Sequence, residues 1–154
     1  STSALIKERI KRYISDLINF TDKNLKIDLL EIFTLVNYTS YCGVPCSMDM
    51  MYFYFNEDID SYEDILYALE KMNKIIVESA ETNACEQDQN YMVMRSKLFS
   101  EKSLSLIDNK TIAHVLNRFL ENVSAQIIYR YDIFKRRAYD ADITKRAFDI
   151  GDGI

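Results

Sequence analysis

Apolar residues recur at intervals of three and four from the start of the chain, with Leu5, Ile6, Ile10, Tyr13, Ile14, Leu17 and Ile18 set against Lys7, Arg9, Lys11 and Arg12. That period predicts an amphipathic helix from Ser3 to Phe20. The cap-type run "TDKN" ends it, and Leu29, Ile32, Phe33 and Val36 predict a second helix that stops before a turn at Gly43 and Pro45. Ser47 is placed to cap a helix start, and Asp49 sits in a first turn where the helix dipole favours negative charge, so "SMDMMYFYFN" reads as a short buried helix. Ser61 followed by Asp64 has the form of a capping box and opens a third helix of about fourteen residues, "SYEDILYALEKMNK", with Ile65, Leu69 and Met72 inward.

The period then shortens. "IIVES" (Ile75 to Ser79) and "NYMVMRS" (Asn90 to Ser96) are β-prone and flank the polar stretch "AETNACEQDQ", which predicts a hairpin with a long tip. Ser96 is placed to cap a helix beginning "KLFSEKSL". "NKTIAHVLNRFLENVSAQI" continues as an amphipathic helix through Ile112, Val115, Leu116, Phe119 and Val123, and "YRYDIFKRRAYDADITKRAFDI" is helical with mixed charge. Helix, short helix, helix and hairpin, in that order, predict a mainly α fold, a winged helix-turn-helix with one β-hairpin wing and flanking N- and C-terminal helices. The expected layout is one domain over 1–154, with an N-terminal helix at 1–20, a winged-helix core at 25–106 and C-terminal helices at 108–150.

The stretches "LLEIFTLVNYTSYCGVPCSMDMMYFYF", "SYEDILYALEKMNKIIVES" and "YMVMRSKLFSEKSL" together resemble the winged-helix segment that follows the nucleotide-binding core in prokaryotic STAND-type signalling NTPases. The likeness runs from about Leu25 to Leu106, and "MVMRSKLFSE" is similar to the family's strand-to-helix junction. It implies a module that packs on a nucleotide-binding core. Some family members touch bound nucleotide through a histidine near this junction, whereas this chain has Arg95 and Ser96 there. It also has no Gly-x-x-x-x-Gly-Lys-Ser/Thr phosphate loop, so any ATPase would lie outside these residues.

Composition narrows the function classes. Apolar residues make up 48% of the 154, and only three glycines and one proline are present, which suits a helical domain with one core. The chain starts without methionine and stops at "FDIGDGI", which fits a piece of a longer protein. It has no apolar leader at its start and no apolar run long enough to span a bilayer, and a cytoplasmic protein that does not enter the membrane is expected. Three cysteines read as reduced thiols. Cys42 and Cys46 lack a second pair of ligands, since only Cys85 and His114 remain, and a structural zinc site needs four. "NEDIDSYEDILY" lacks the central glycine and final glutamate of a calcium loop. No nucleophile can be paired with His114, and Met48, Met50, Met51, Tyr52, Phe53 and Phe55 read as core ahead of the alternative, an apolar groove for a partner. No catalytic residue, cofactor or metal is therefore expected, and Phe55 and Met51 are expected beneath the third helix.

Charge separates the remaining readings. From Glu57 to Glu81, the acids Glu57, Asp58, Asp60, Glu63, Asp64, Glu70, Glu78 and Glu81 face only Lys71 and Lys74, a net of −6 across the helix and wing that would meet duplex DNA. Phosphate contacts dominate DNA affinity, so this surface disfavours it. Cations gather instead at Lys7, Arg9, Lys11 and Arg12 and at Arg130, Lys135, Arg136 and Arg137, where "YRYDIFKRR" fits a helix docked on a neighbour better than a strand-binding surface. The candidate interaction residues are Glu63, Asp64, Glu70, Arg95, Arg130, Lys135, Arg136 and Arg137. The favoured function is a non-catalytic regulatory or protein-interaction module of a larger STAND-type NTPase. The alternatives are a stand-alone winged-helix DNA-binding transcription regulator and a virus-encoded helical host-interaction protein.

Overall fold

Helix starts fall where the sequence supplies capping oxygens. Asp28 accepts from the Leu30 amide (2.9 Å), Ser47 from Met50 (3.0 Å), Ser96 from Phe99 (3.1 Å) and Asp108 from Thr111 (2.9 Å). A computed structural model describes residues 1–80 and 90–150, the side chains of 147–150 excepted. In chain order the elements are α1 (Thr2–Asn19), α2 (Leu29–Tyr41), β1 (Cys46–Ser47), α3 (Met48–Tyr54), α4 (Tyr62–Glu70), β2 (Ile76–Glu78), β3 (Tyr91–Met94), α5 (Lys97–Leu106), α6 (Asn109–Asn122), a 3-10 turn (Ala125–Ile127), α7 (Tyr131–Asp140) and α8 (Asp142–Ile150). The protein is mainly helical with a small antiparallel sheet, and among the described residues no helix is long and apolar enough to cross a membrane.

The expected hairpin is present, with Ile76 opposite Met94, Val77 opposite Val93 and Glu78 opposite Met92. Its tip, and with it Cys85 and the acids Glu81, Glu86 and Asp88, lies outside the described residues. A third strand, β1, was not expected: Cys46 pairs with Met92 and Ser47 with Tyr91, giving the order β1-β3-β2. Three helices also differ from expectation. α4 stops at Glu70, because Met72 turns inward and its carbonyl accepts from the amides of Ile75 and Ile76 (2.9 Å each), which launches β2. α6 stops at Asn122, where Val123 adopts extended backbone. The C-terminal stretch divides at Ala141, also extended, into α7 and α8.

One hydrophobic cluster reaches from Leu17 to Ile143. Its axis is α2, buried without interruption from Glu31 to Thr39. α3 fills the gap beside it with Met50, Met51, Tyr54 and the following Phe55, all fully buried beneath α4 residues Ile65, Ala68 and Leu69. Methionine suits such an irregular space because its thioether adapts to it. At the other end the Arg146 guanidinium donates to Asn109 Oδ1 and to the carbonyls of Leu104 and Ile107, so α8 completes the link between α5 and α6. The Tyr38 and Thr144 hydroxyls meet at 3.0 Å and tie α2 to α8.

Candidate functional site

Three separate segments bring cations to one cleft of about 830 Å³. Arg95 leaves the end of β3, Lys97 opens α5, and Arg136 and Arg137 come from α7. The turn after α2 supplies Gly43, Val44 and Pro45, and Ser100 and Ala141 also line the space. Gly43 has φ +83, a left-handed conformation that side chains resist, and a Cβ there would sit 3.4 Å from Arg137 Nε. Glycine at this turn thus lets the Arg137 guanidinium lie over the backbone. Ser100 is buried, and its Oγ makes no hydrogen bond among the described residues.

The cleft is electropositive. Glu101 and Asp140 also line it, but they are outnumbered by the four cations. Among the described residues no ion pair engages Arg95, Lys97, Arg136 or Arg137, although Lys11, Lys26 and Arg118 all have acidic partners. Unpaired guanidinium groups beside the start of a ten-residue helix suit an incoming carboxylate or phosphate, which arginine grips in a planar fork.

The structure therefore gathers Arg95, Arg136 and Arg137 from the candidate residues and separates the others. Lys135 is exposed on α7 outside the cleft lining. Arg130, in left-handed conformation at the start of α7, lies with its guanidinium 5.2 Å from the Tyr129 ring centre. Glu63 and Glu70 are exposed on α4. Asp64 is used structurally: its carboxylate accepts from the amides of Asp60 (2.8 Å) and Ser61 (3.4 Å) and lies 3.6 Å from Lys26 Nζ. The Asp60 amide above all, with Ser61 and Lys26 adding, holds its carboxyl below the usual range.

A polar cluster that the sequence reading did not find joins α2, α3 and α6. Glu31 Oε1 accepts from the Tyr54 hydroxyl (2.7 Å) and Arg118 Nη1 (2.9 Å) and lies 3.0 Å from His114 Nε2. Arg118 also donates to Asp58 (2.7 Å) and stacks over Tyr54 and Phe55. Burial first, and then the neighbouring Glu31 charge, raise the Tyr54 hydroxyl far above its ordinary range. The sequence did carry a signal: a glutamate within "LLEIFTLV", an otherwise apolar helix face, requires a buried partner.

Cys42 and Cys46 are free and fully buried, and desolvation pushes both thiols up to about 12. They therefore stay protonated at neutral pH, which removes nucleophilic character. Cys46 Sγ donates instead to Met50 Sδ at 3.6 Å. Compared with known families, curated proteins and solved structures, the chain matches none.

Proposed function

We propose that the chain is a non-catalytic regulatory module of winged-helix type belonging to a larger STAND-type signalling NTPase, and that the cationic cleft grips an acidic group on the nucleotide-binding core. The observation that carries this reading is the meeting of Arg95, from the strand-to-helix junction, with Arg136 and Arg137 in a cleft where none has an ionic partner among the described residues. The antiparallel order β1-β3-β2 behind α2, α3 and α4 supports the winged-helix part, since the short strand before α3 closes the sheet onto the wing.

The cleft's cations also favour a second reading, a DNA-binding regulator. Against it, α4 carries no lysine or arginine and presents Glu63 and Glu70 outward, so the helix that would enter the major groove repels phosphate.

The encoded reading frame is expected to carry a phosphate loop upstream of this chain. In that intact protein, Arg95→Glu with Arg137→Glu is expected to change nucleotide turnover while the domain stays folded by circular dichroism. Unchanged turnover, or a reading frame with no phosphate loop, overturns the proposal. Fluorescence anisotropy with random duplex is expected to show no binding by the isolated chain at physiological salt. Submicromolar binding that is lost in Arg136→Ala or Lys71→Ala selects the DNA-binding reading instead.

A further inference from the structure

α3 and α4 expose an apolar surface that no part of the described chain covers. Phe53, Tyr62 and Leu66 are 41%, 41% and 44% exposed. Tyr52 stacks on Tyr62 with ring centres 4.7 Å apart and meets Phe53 edge-on at 5.9 Å, so the rings form one continuous patch. Leu66 extends it by one turn along α4 from Tyr62, on the same face. The Tyr62 hydroxyl donates to Asp49 at 2.5 Å, which fixes the ring before any partner arrives. A preformed apolar patch with a polar rim is the usual mark of a docking surface.

The rim defines the partner. Met48 to Glu70 carries seven carboxylates and no lysine or arginine. Within the protein Asp58 is paired with Arg118, and Asp60 and Asp64 with Lys26. Glu57, Glu63 and Glu70 are exposed and have no ion pair among the described residues. An occupant must therefore bring both apolar side chains and cations. Tyr62 and Leu66 are spaced by one helical turn, which matches the spacing of anchors on a helix laid across them. The outward aromatic faces add attraction for lysine or arginine beside those anchors.

We propose that the α3–α4 face is a docking site for a basic amphipathic helix of a partner protein, with Phe53, Tyr62 and Leu66 as its anchors and Glu57, Glu63 and Glu70 as its charge rim. This stands independently of the NTPase reading, which rests on the cleft. The apolar contacts hold the complex, while the carboxylates speed encounter and set its register.

The test uses the full chain and a fluorescein-labelled peptide of about eighteen residues, a length that forms five helical turns, with leucines on one face and lysines and arginines flanking them. A peptide with glutamate in place of every cation is the control. Micromolar binding of the basic peptide and none of the acidic one is expected by anisotropy. Phe53→Ser with Leu66→Ser, which leaves the charge unchanged, is expected to weaken binding by roughly tenfold or more, as loss of central anchors does. Glu63→Lys with Glu70→Lys is expected to slow association and to weaken binding at low salt by less than the anchor changes do. Thermal melting checks that each variant keeps the parent fold, as exposed positions allow. Absence of binding overturns the proposal. So does binding that ignores the Phe53 and Leu66 changes, because that is charge adsorption alone. Sedimentation showing the chain pairing with itself through these residues would assign the face to a second copy instead.

Discussion

The cleft and the α3–α4 face carry opposite charge, and they reach it by different construction. The acidic face comes from one continuous segment, and the protein partly neutralises it with Lys26 and Arg118 from elsewhere. The cleft collects its cations from the end of β3, the start of α5 and the end of α7, and among the described residues leaves all four without an ion pair. A surplus of like charges raises the energy of the free protein. They stay together because the buried Phe134 and Ala141 fix α7 in the core. The acidic surface is thus balanced at rest apart from its outer rim. The cleft keeps a surplus of cations over its lining acids Glu101 and Asp140.

The largest expected effect is on the support beneath the acidic face. Phe55 is fully buried, and Phe55→Ala should cost about 3 kcal/mol in urea denaturation, the usual penalty for emptying a buried aromatic site. A loss below about 0.5 kcal/mol would mean that this side chain does not pack as described. Next in size is Gly43→Val at the cleft. A β-branched residue at φ +83 should cost roughly 1–3 kcal/mol in backbone strain. An unchanged denaturation midpoint would show that the turn does not hold the guanidinium in place.

The smallest effect is the response to acid, and it separates the two regions by sign of charge. Asp64 is lowered mainly by the Asp60 amide and Asp22 mainly by the Tyr67 hydroxyl, so both are stronger acids folded than unfolded. Their contribution is complete above the unfolded carboxylate value of about 3.9 and fades as pH falls through the lower folded values. Amide protection, taken relative to the intrinsic exchange rate at each pH, is therefore expected to fall at the start of α4 before it does in α5 and α7 as the solution is acidified. The reverse order would contradict the described partners of Asp22 and Asp64.

Legibility in the sequence followed the range of the interactions. Ser47, Ser96 and the Asp64 box act within three residues, so the starts of α3, α4 and α5 could be read directly. β1 could not, because two residues after a proline show no period and become a strand only when Met92 and Tyr91 come alongside. The end of α4 depended on Met72 turning into the core, which helix propensity does not register. Of the candidate site, the charged residue types were visible as runs. That Arg95 joins Arg136 and Arg137 while Lys135 and Arg130 stay apart depends on how α7 docks. Glu31 was hidden for the same reason, since its partners Arg118 and His114 lie on a helix more than eighty residues away.

The tie between the hydroxyls of Tyr38 and Thr144 spans 106 residues, and it bears on the order in which a growing chain acquires its surfaces. α3 and α4 are neighbours in sequence and touch each other, so their pairing closes only a short loop, whereas the seat of α3 on α6 waits for a helix made later. α7 and α8 are the last described helices to be made, and α8 supplies the guanidinium that finishes the link between α5 and α6. The residues of the acidic face are thus all made before α7 completes the lining of the cleft.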